Sequence, residues 1–390
     1  MKKIVALVLA ALMLTVMFVG CGDNAKTDEK VIKIGVYEPA SGSNGAGGKQ
    51  ETLGIKYANS VQPTVEINGE EYKVELVYAD NQSSNDKAPT AAADLISAGA
   101  KVVLGSYGSG VSIAASDTFK NAGVPAIGVT CTNPQVTEGN DHYFRICFLD
   151  PFQGSVHANY AKDVLGAQTA YCLGQLGNDY DQGLIHYFKE AAEAAGMTVI
   201  TESFPENNSD FTSYLTNAKN AGAEVIFAPC SLSYVQLIIE QAAAQGIGLP
   251  LLGPDTWDSN VVLNAAKGKD LQIAVTTFYQ EGGTPEFDAG IKEWINSNAE
   301  AKTNNGGDDV ISAVSAMGYD AYFVALEAMK AAGSVDKADV LAALPGVSYK
   351  GVSGNIAFDE IGDAIRNSAY IKGVNTETGL WEFIAEQGVA

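Results

Sequence analysis

Histidine is scarce: His142, His157 and His186 are the only three in 390 residues, and the five cysteines include no C-x-x-C pair. Structural zinc needs closely spaced ligand pairs, so no metal site is expected, and nothing else in the chain calls for a cofactor. Basic residues are few as well, 24 Lys plus Arg against 46 Asp plus Glu, for a net charge of -22. So acidic a surface repels phosphate backbones, which removes nucleic acid from the expected partners. Long apolar runs are missing except for one at the start of the chain. A disordered composition is missing too, since 46% of residues are hydrophobic and 18% charged, as in folded globular domains. The length suits two domains better than a single core.

The one apolar run, Ile4 to Val19, follows Lys2 and Lys3 and precedes Gly20 and Cys21. A basic start, a short apolar stretch and a small residue at the cut mark an export signal over residues 1–20. The run falls short of the ~20 residues that a spanning helix requires. Phe18-Val-Gly-Cys21 resembles a bacterial lipobox, with Phe18 where Leu is commonest, which implies that Cys21 is lipidated. Residues 21–30 then read as a polar tether, and the protein is expected outside the cytoplasm, anchored to the outer face of the cell membrane. Cys131, Cys147, Cys172 and Cys230 remain; disulfides are open to an exported chain, but buried free thiols are the simpler expectation.

From Val31 onward strands and helices alternate. One phrase recurs, a helix ending in Ala-Gly followed at once by a short apolar strand. It occurs as Ser97-Ala-Gly-Ala-Lys-Val-Val-Leu-Gly, Asn121-Ala-Gly-Val-Pro-Ala-Ile-Gly and Asn220-Ala-Gly-Ala-Glu-Val-Ile-Phe-Ala. Gly closes a helix in the left-handed conformation, and the apolar run is a strand buried on both faces. Alternation of this kind predicts an α/β protein with parallel, Rossmann-like sheets covered by helices on both sides. Two sheets are needed for about a dozen such units. Asp150-Pro151 predicts the first crossing between them, after a strand from Phe144 to Leu149, and a helix from about Asp309 to Ala332 returns to the first lobe.

Ligands of parallel sheets bind beyond the carboxyl ends of the strands, so the loops there are the candidates for a binding site. Ser41-Gly-Ser-Asn-Gly-Ala-Gly-Gly-Lys49 fails as a phosphate loop, because Ser43 and Gln50 stand where Gly and Ser or Thr are required; it reads as a flexible loop lining a cleft. Gly105-Ser-Tyr-Gly-Ser-Gly110 opens a helix, with Ser109 at its N-cap as an anion site suited to a carboxylate. It lacks the G-x-S-x-G elbow of a hydrolase. Thr130-Cys-Thr-Asn-Pro134 stays extended before its proline and leaves hydroxyls and carbonyls free. Asp255 and Trp257 follow a strand of the second lobe, and an unpaired carboxylate in a dry cleft invites a cationic ligand. Tyr180 and Tyr319 complete the set, the latter within an apolar helix.

Tyr37-Glu-Pro-Ala-Ser-Gly42, Ala79-Asp80-Asn81, Leu104-Gly105-Ser106, Ser116-Asp117, Gly253-Pro254-Asp255 and Gly318-Tyr319-Asp320-Ala321 occur in an order that resembles the branched-chain amino acid binding proteins of ABC importers, the type I periplasmic binding family, over Val31 to about Phe383. The resemblance implies two lobes joined by a three-segment hinge, with lobe 1 over 31–149 and 279–355 and lobe 2 over 150–278 and 356–390. It implies an amino acid ligand, a permease partner in the membrane, a monomer and no enzymatic activity. Ser109 and Thr132 would hold the ligand's carboxylate. The Thr130 carbonyl, the Thr132 hydroxyl and Asp255 would take its ammonium, and Tyr180 would close over it. Tyr107, Cys131, Trp257 and Tyr319 would wall the side chain. The first loop has no aromatic, Asp255 replaces a frequent Glu, and Cys230 stands near a frequent aromatic, which together imply a differently shaped side-chain pocket. Two rival readings remain, a sensory ligand-binding module and a secreted α/β hydrolase.

Overall fold

The computed structural model describes residues 29–366 and 368–388. The leader over 1–20, and Cys21 with the tether up to residue 28, lie outside the described residues. No helix among the described residues is long and apolar enough to cross a membrane.

The first sheet comprises β1 (Val31–Glu38), β2 (Thr64–Ile67), β3 (Glu70–Asp80), β4 (Val102–Leu104), β5 (Ala126–Gly128) and β6 (Tyr143–Arg145), in the order β2-β3-β1-β4-β5-β6. Its helices are α1 (Gly45–Val61), α2 (Ala88–Ser97) and α3 (Ser109–Asn121). The chain then crosses over. The second lobe holds α4 (Asp150–Asn159), β7 (Thr169–Gln175), α5 (Asp179–Ala194), β8 (Thr198–Phe204), α6 (Thr212–Asn220), β9 (Val225–Phe227), α7 (Leu232–Gln245), β10 (Leu251–Gly253), α8 (Asn260–Ala266) and β11 (Ile273–Thr277). A second crossing returns the chain to the first lobe for α9 (Pro285–Ser297), α10 (Ala299–Asn304), α11 (Ala313–Ala332), α12 (Lys337–Ala343) and the hairpin β12 (Ser348–Gly351) and β13 (Gly354–Ala357). A third brings β14 (Ser368–Asn375) and β15 (Leu380–Gly388) into the second sheet, whose order is β15-β14-β11-β10-β9-β7-β8.

The recurrent Ala-Gly phrase does what its chemistry predicts. Gly99, Gly123 and Gly222 take φ of 87°, 61° and 72°, which glycine adopts without a Cβ penalty, and the strands that follow them are buried throughout. Both sheets are mixed rather than purely parallel. β2 runs antiparallel to β3, and β14 and β15 join the second sheet antiparallel. The β2-β3 and β14-β15 pairs are joined by short connections, which parallel pairing does not permit, and β2 and β15 form sheet edges. The strand expected over Phe144–Leu149 is only Tyr143–Arg145, because the chain turns toward the second lobe immediately after.

Of the glycine-rich stretch after β1, residues 41–44 form a turn, with Gly42, Ser43 and Asn44 in the wall of a cavity, whereas residues 45–49 open α1 rather than continue as a flexible loop. Its glycines serve close packing. A Cβ on Gly48 would lie 2.2 Å from the Pro39 carbonyl oxygen, and one on Gly54 would lie 1.8 Å from that of Ser315 on α11. The α1 and α11 backbones thus touch directly, and Ser315 Oγ donates to the Gln50 carbonyl at 2.7 Å.

Apolar clusters cover both faces of each sheet. The crossing segments bind one another: Phe148 and Phe278 pack at 4.1 Å between ring centroids, Arg145 pairs with Asp363, and Lys372 pairs with Asp258 at 2.9 Å with both side chains buried. All four described cysteines are buried and unpaired.

Candidate functional site

The carboxyl ends of β1, β4 and β5 in the first lobe face those of β7 and β10 in the second. The centre of this interface is Asp255, which opens a 3-10 turn, Asp255–Trp257, directly after β10. Its Oδ1 accepts from Gln153 Nε2 and from the Tyr180 hydroxyl, both at 2.8 Å. Its Oδ2 is buried with no partner in the protein. Burial raises its pKa to about 6, against the opposing hydrogen bonds of Gln153 and Tyr180. Gln153, from α4, is held in turn by Thr276 Oγ1 at 2.7 Å, which also meets His157 Nε2 at 2.9 Å. Burial drives His157 down to about 3, so the ring is neutral there.

On the opposite side, Ser109 is the first residue of α3 and not its cap; Gly108 caps with extended backbone, since the chain arrives there without a left-handed turn. Ser109 Oγ accepts the Asn133 amide at 3.2 Å, which leaves the hydroxyl proton to donate elsewhere. The Thr132 hydroxyl is buried without a full partner, beside the equally unpartnered carboxyl of Asp150. Burial lifts Asp150 to about 7. Thr130 differs from its neighbour: its hydroxyl donates to Glu51 Oε2 at 2.5 Å.

One tyrosine joins the sides. The Tyr107 hydroxyl donates across the lobes to the Thr256 carbonyl at 3.1 Å, while its ring lies on Gly47, where a Cβ would come 2.3 Å from it. Asn133 Nδ2 donates to the Asp179 carbonyl at 2.9 Å, and Gln50 Nε2 to Asn260 Oδ1 at 3.1 Å. The lobes are therefore closed. A polar cavity of about 450 Å³ remains at the interface, with Tyr107, Ser109, Tyr180 and Thr256 in its wall. Thr130, Thr132 and Asp255 do not line it; they are fully buried, and Asp255 reaches its wall through the Tyr180 hydroxyl.

Three of the residues singled out from the sequence stand elsewhere. Trp257 folds back onto its own strand, so tightly that a Cβ on Gly253 would lie 2.0 Å from its ring, and packs in the core of the second lobe. The Cys131 thiol enters the first lobe's core between the sheet and α3, where burial pushes it up to about 11. Tyr319 lies in an aromatic cluster of the first lobe, stacked on Tyr57 at 5.5 Å and close to Phe287 and Phe323. None of the three is in the cavity wall.

Residues without a mark in the sequence also shape the interface. Glu38, Glu51, Asp150 and Gln153 are buried at this interface. Arg145 donates to the carbonyls of Cys131 at 3.0 Å and Asn133 at 2.5 Å, and so fixes the Thr130–Pro134 loop. A signal for Glu51 was present: Gly47, Glu51, Gly54 and Ala58 recur at helical spacing on the face that α1 buries.

A family model described as periplasmic binding protein matches residues 31–378. The chain belongs to that family. Among similar relatives of this periplasmic binding protein is the Leu/Ile/Val-binding protein homolog 1 of Brucella abortus (strain 2308), 29% identical over 337 residues, which cover 85% of this chain and 87% of the relative. Among solved structures, a leucine binding protein LivK from Thermotoga maritima MSB8 superposes with a TM-score of 0.81 at 29% identity, covering 92% of this chain and 99% of that one. The branched-chain amino acid transporter substrate binding protein LivJ of Streptococcus pneumoniae, in complex with isoleucine, gives 0.78 at 25%, with 92% and 99% coverage. The two-lobe architecture and the three crossings are those of the type I members of the family.

Proposed function

We propose that this chain is the extracytoplasmic substrate-binding lipoprotein of an ABC importer, and that it captures an amino acid with a branched-chain or similar apolar side chain by hinge closure. One observation carries the reading: Asp255 presents a buried, unpartnered carboxylate oxygen between the lobes, and burial without a cation is costly. An α-ammonium group satisfies it. The Ser109 proton and the Thr132 hydroxyl are the donors that remain for the α-carboxylate. Tyr180, bonded to Asp255, belongs to the second lobe and arrives on closure, as does the Thr256 carbonyl that receives Tyr107. The hinge divides the mature chain into lobe 1, residues 31–149 and 279–357, and lobe 2, residues 150–278 and 358–390; the last boundary moves from 355 because β13 pairs with β12 in the first lobe through Ala357. The relatives named for leucine, isoleucine and valine support this ligand class. The protein works as a monomer that delivers its ligand to a membrane permease and performs no chemistry on it.

The test is a calorimetric and thermal-shift screen of the purified protein against the twenty amino acids, with an ester hydrolysis assay on the same sample. Leucine, isoleucine or valine should raise the melting temperature without turnover, since a ligand at a hundred times its Kd adds about 2.7 kcal/mol to stability. If none of the twenty amino acids binds, the reading is lost. The anchor is checked separately: the full chain should sediment with membranes, and Cys21→Ser should leave it in the soluble fraction.

A further inference from the structure

Glu38, the last residue of β1, and Glu51, on the buried face of α1, are both fully enclosed, and their carboxyl groups touch. Each has one oxygen committed to a protein donor. Glu38 Oε2 accepts the Tyr107 amide at 2.7 Å, and Glu51 Oε2 accepts the Thr130 hydroxyl at 2.5 Å. Oε1 of each has no donor. The fold makes room for the pair by omitting side chains around it: a Cβ on Gly105 would lie 2.6 Å from Glu38 Oε1. The titratable groups facing the pair are Tyr37 on β1, Tyr107 after β4, Cys131 after β5, Tyr143 on β6 and Asp255 from the second lobe. No cation is among them in the described residues. Two ionised carboxylates in contact, buried and without a cation, repel strongly. A proton between the two free oxygens satisfies both.

We infer that Glu38 and Glu51 share one buried proton, and that this carboxyl pair is a positioning device which clamps the Tyr107 and Thr130 loops together under the ligand. The shared proton leaves the pair with a single negative charge. It holds the Thr130 hydroxyl on Glu51, so that only the Thr130 carbonyl is left to face a ligand. Burial, and the neighbouring carboxyl in the case of Glu38, keep both groups above the usual carboxylate range. Loss of the proton sets two charges against each other and pushes the loops apart. Ligand affinity then falls as the medium turns alkaline.

Glu51→Gln separates this device from ordinary packing. Its amide oxygen accepts from Thr130 and its NH₂ donates to Glu38, which reproduces the singly charged, hydrogen-bonded pair without a removable proton. The first measurement needs no ligand. Folded carboxyls that keep protons to higher pH than the unfolded chain make stability fall as pH rises above the ordinary carboxylate range. The melting curves of wild type from pH 5 to 9 should show this fall. Glu51→Gln should show a shallower one, by up to about tenfold in the folding constant per pH unit. The second measurement rests on the amino acid reading: calorimetric Kd for L-leucine from pH 6.5 to 8.5. Wild type should weaken toward pH 8.5, Glu51→Gln should bind within about threefold of wild type at pH 6.5 and lose the alkaline weakening, and Glu51→Ala should lose about tenfold or more throughout. Parallel melting slopes in wild type and Glu51→Gln overturn the shared proton, whatever binds. Different slopes with no leucine binding uphold the shared proton and count against the ligand reading instead. Different slopes with equal alkaline weakening of leucine binding in both proteins overturn the positioning role.

Discussion

Asp255→Ala is expected to weaken amino acid binding by a hundredfold or more, the equivalent of about 3–5 kcal/mol. The magnitude follows from the surroundings of the carboxylate. Oδ1 is satisfied within the protein by Gln153 and Tyr180, whereas Oδ2 is buried and open. Removal of the group takes away the open carboxylate oxygen offered to the ligand's ammonium, and it costs Gln153 Nε2 one of its two acceptors and the Tyr180 hydroxyl its 2.8 Å acceptor as well. Asp255→Asn should fall between the two, because it keeps an acceptor for Tyr180 but no charge. The pH dependence has a definite sign. Burial holds Asp255 at about 6 in the unliganded protein, and only the ionised form attracts an ammonium group. The Asp255 contribution to affinity should therefore be level above pH 6 and fall below it by up to about tenfold per pH unit. This acid limb belongs to Asp255 and should vanish in Asp255→Asn, while the alkaline limb belongs to the Glu38–Glu51 pair and should remain. Isothermal calorimetry across pH 5 to 8.5 checks both. Unchanged affinity in Asp255→Ala for a ligand that wild type binds would take Asp255 out of the site.

Much of the architecture could be read before any coordinates, and the reason is local. A strand buried on both faces must be apolar throughout, and the helix before it must stop, so Ala-Gly followed by Val-Val-Leu or Val-Ile-Phe carries its own structure. Asp255 was legible for a related reason: it follows such a strand at the end where parallel sheets present their loops. Trp257, two residues on, was not, because a single 3-10 turn reverses the side chain onto Gly253. Sequence distance alone does not distinguish a cleft wall from the core behind it. Glycines in α1 misled in the opposite direction. A run of Gly, Ala and Asn reads as a loop by propensity, yet contact with α11 and the Tyr107 ring rewards small residues enough to override it. Glu51 is legible only from the small residues spaced around it on that face, since a glutamate in a polar helix is ordinarily a solvated one. Arg145 is the least legible of all. Its partner Asp363 lies 218 residues away on the third crossing segment, and a single arginine at the end of Tyr-Phe-Arg has no local mark of burial.

That distant pair has the largest expected effect on folding. Arg145 is completely buried and reaches Asp363 through Nε and, at 3.1 Å, through Nη2. It also donates to Thr137 Oγ1 at 3.0 Å and to two carbonyls of the loop that carries Thr130 and Thr132. Arg145→Met removes the charge but leaves Asp363 buried at the crossing, and should cost about 3–5 kcal/mol of stability in denaturant unfolding. Replacing both partners by apolar residues, Arg145→Met with Asp363→Leu, should recover most of that loss, because a buried ion pair exchanged for well-packed hydrophobes is often neutral. Binding should not recover with it. The carbonyls of Cys131 and Asn133 still lack their donor, so the Thr130–Pro134 loop is free to shift even where the hinge is sound. A double variant that unfolds like wild type and binds leucine about tenfold or more weakly would show that Arg145 holds the ligand loop as well as the fold. Equal recovery of stability and affinity would confine Arg145 to the hinge, and the loop would then owe its position to Asn133 and the Asp150 amide that meets the Thr132 carbonyl at 3.0 Å.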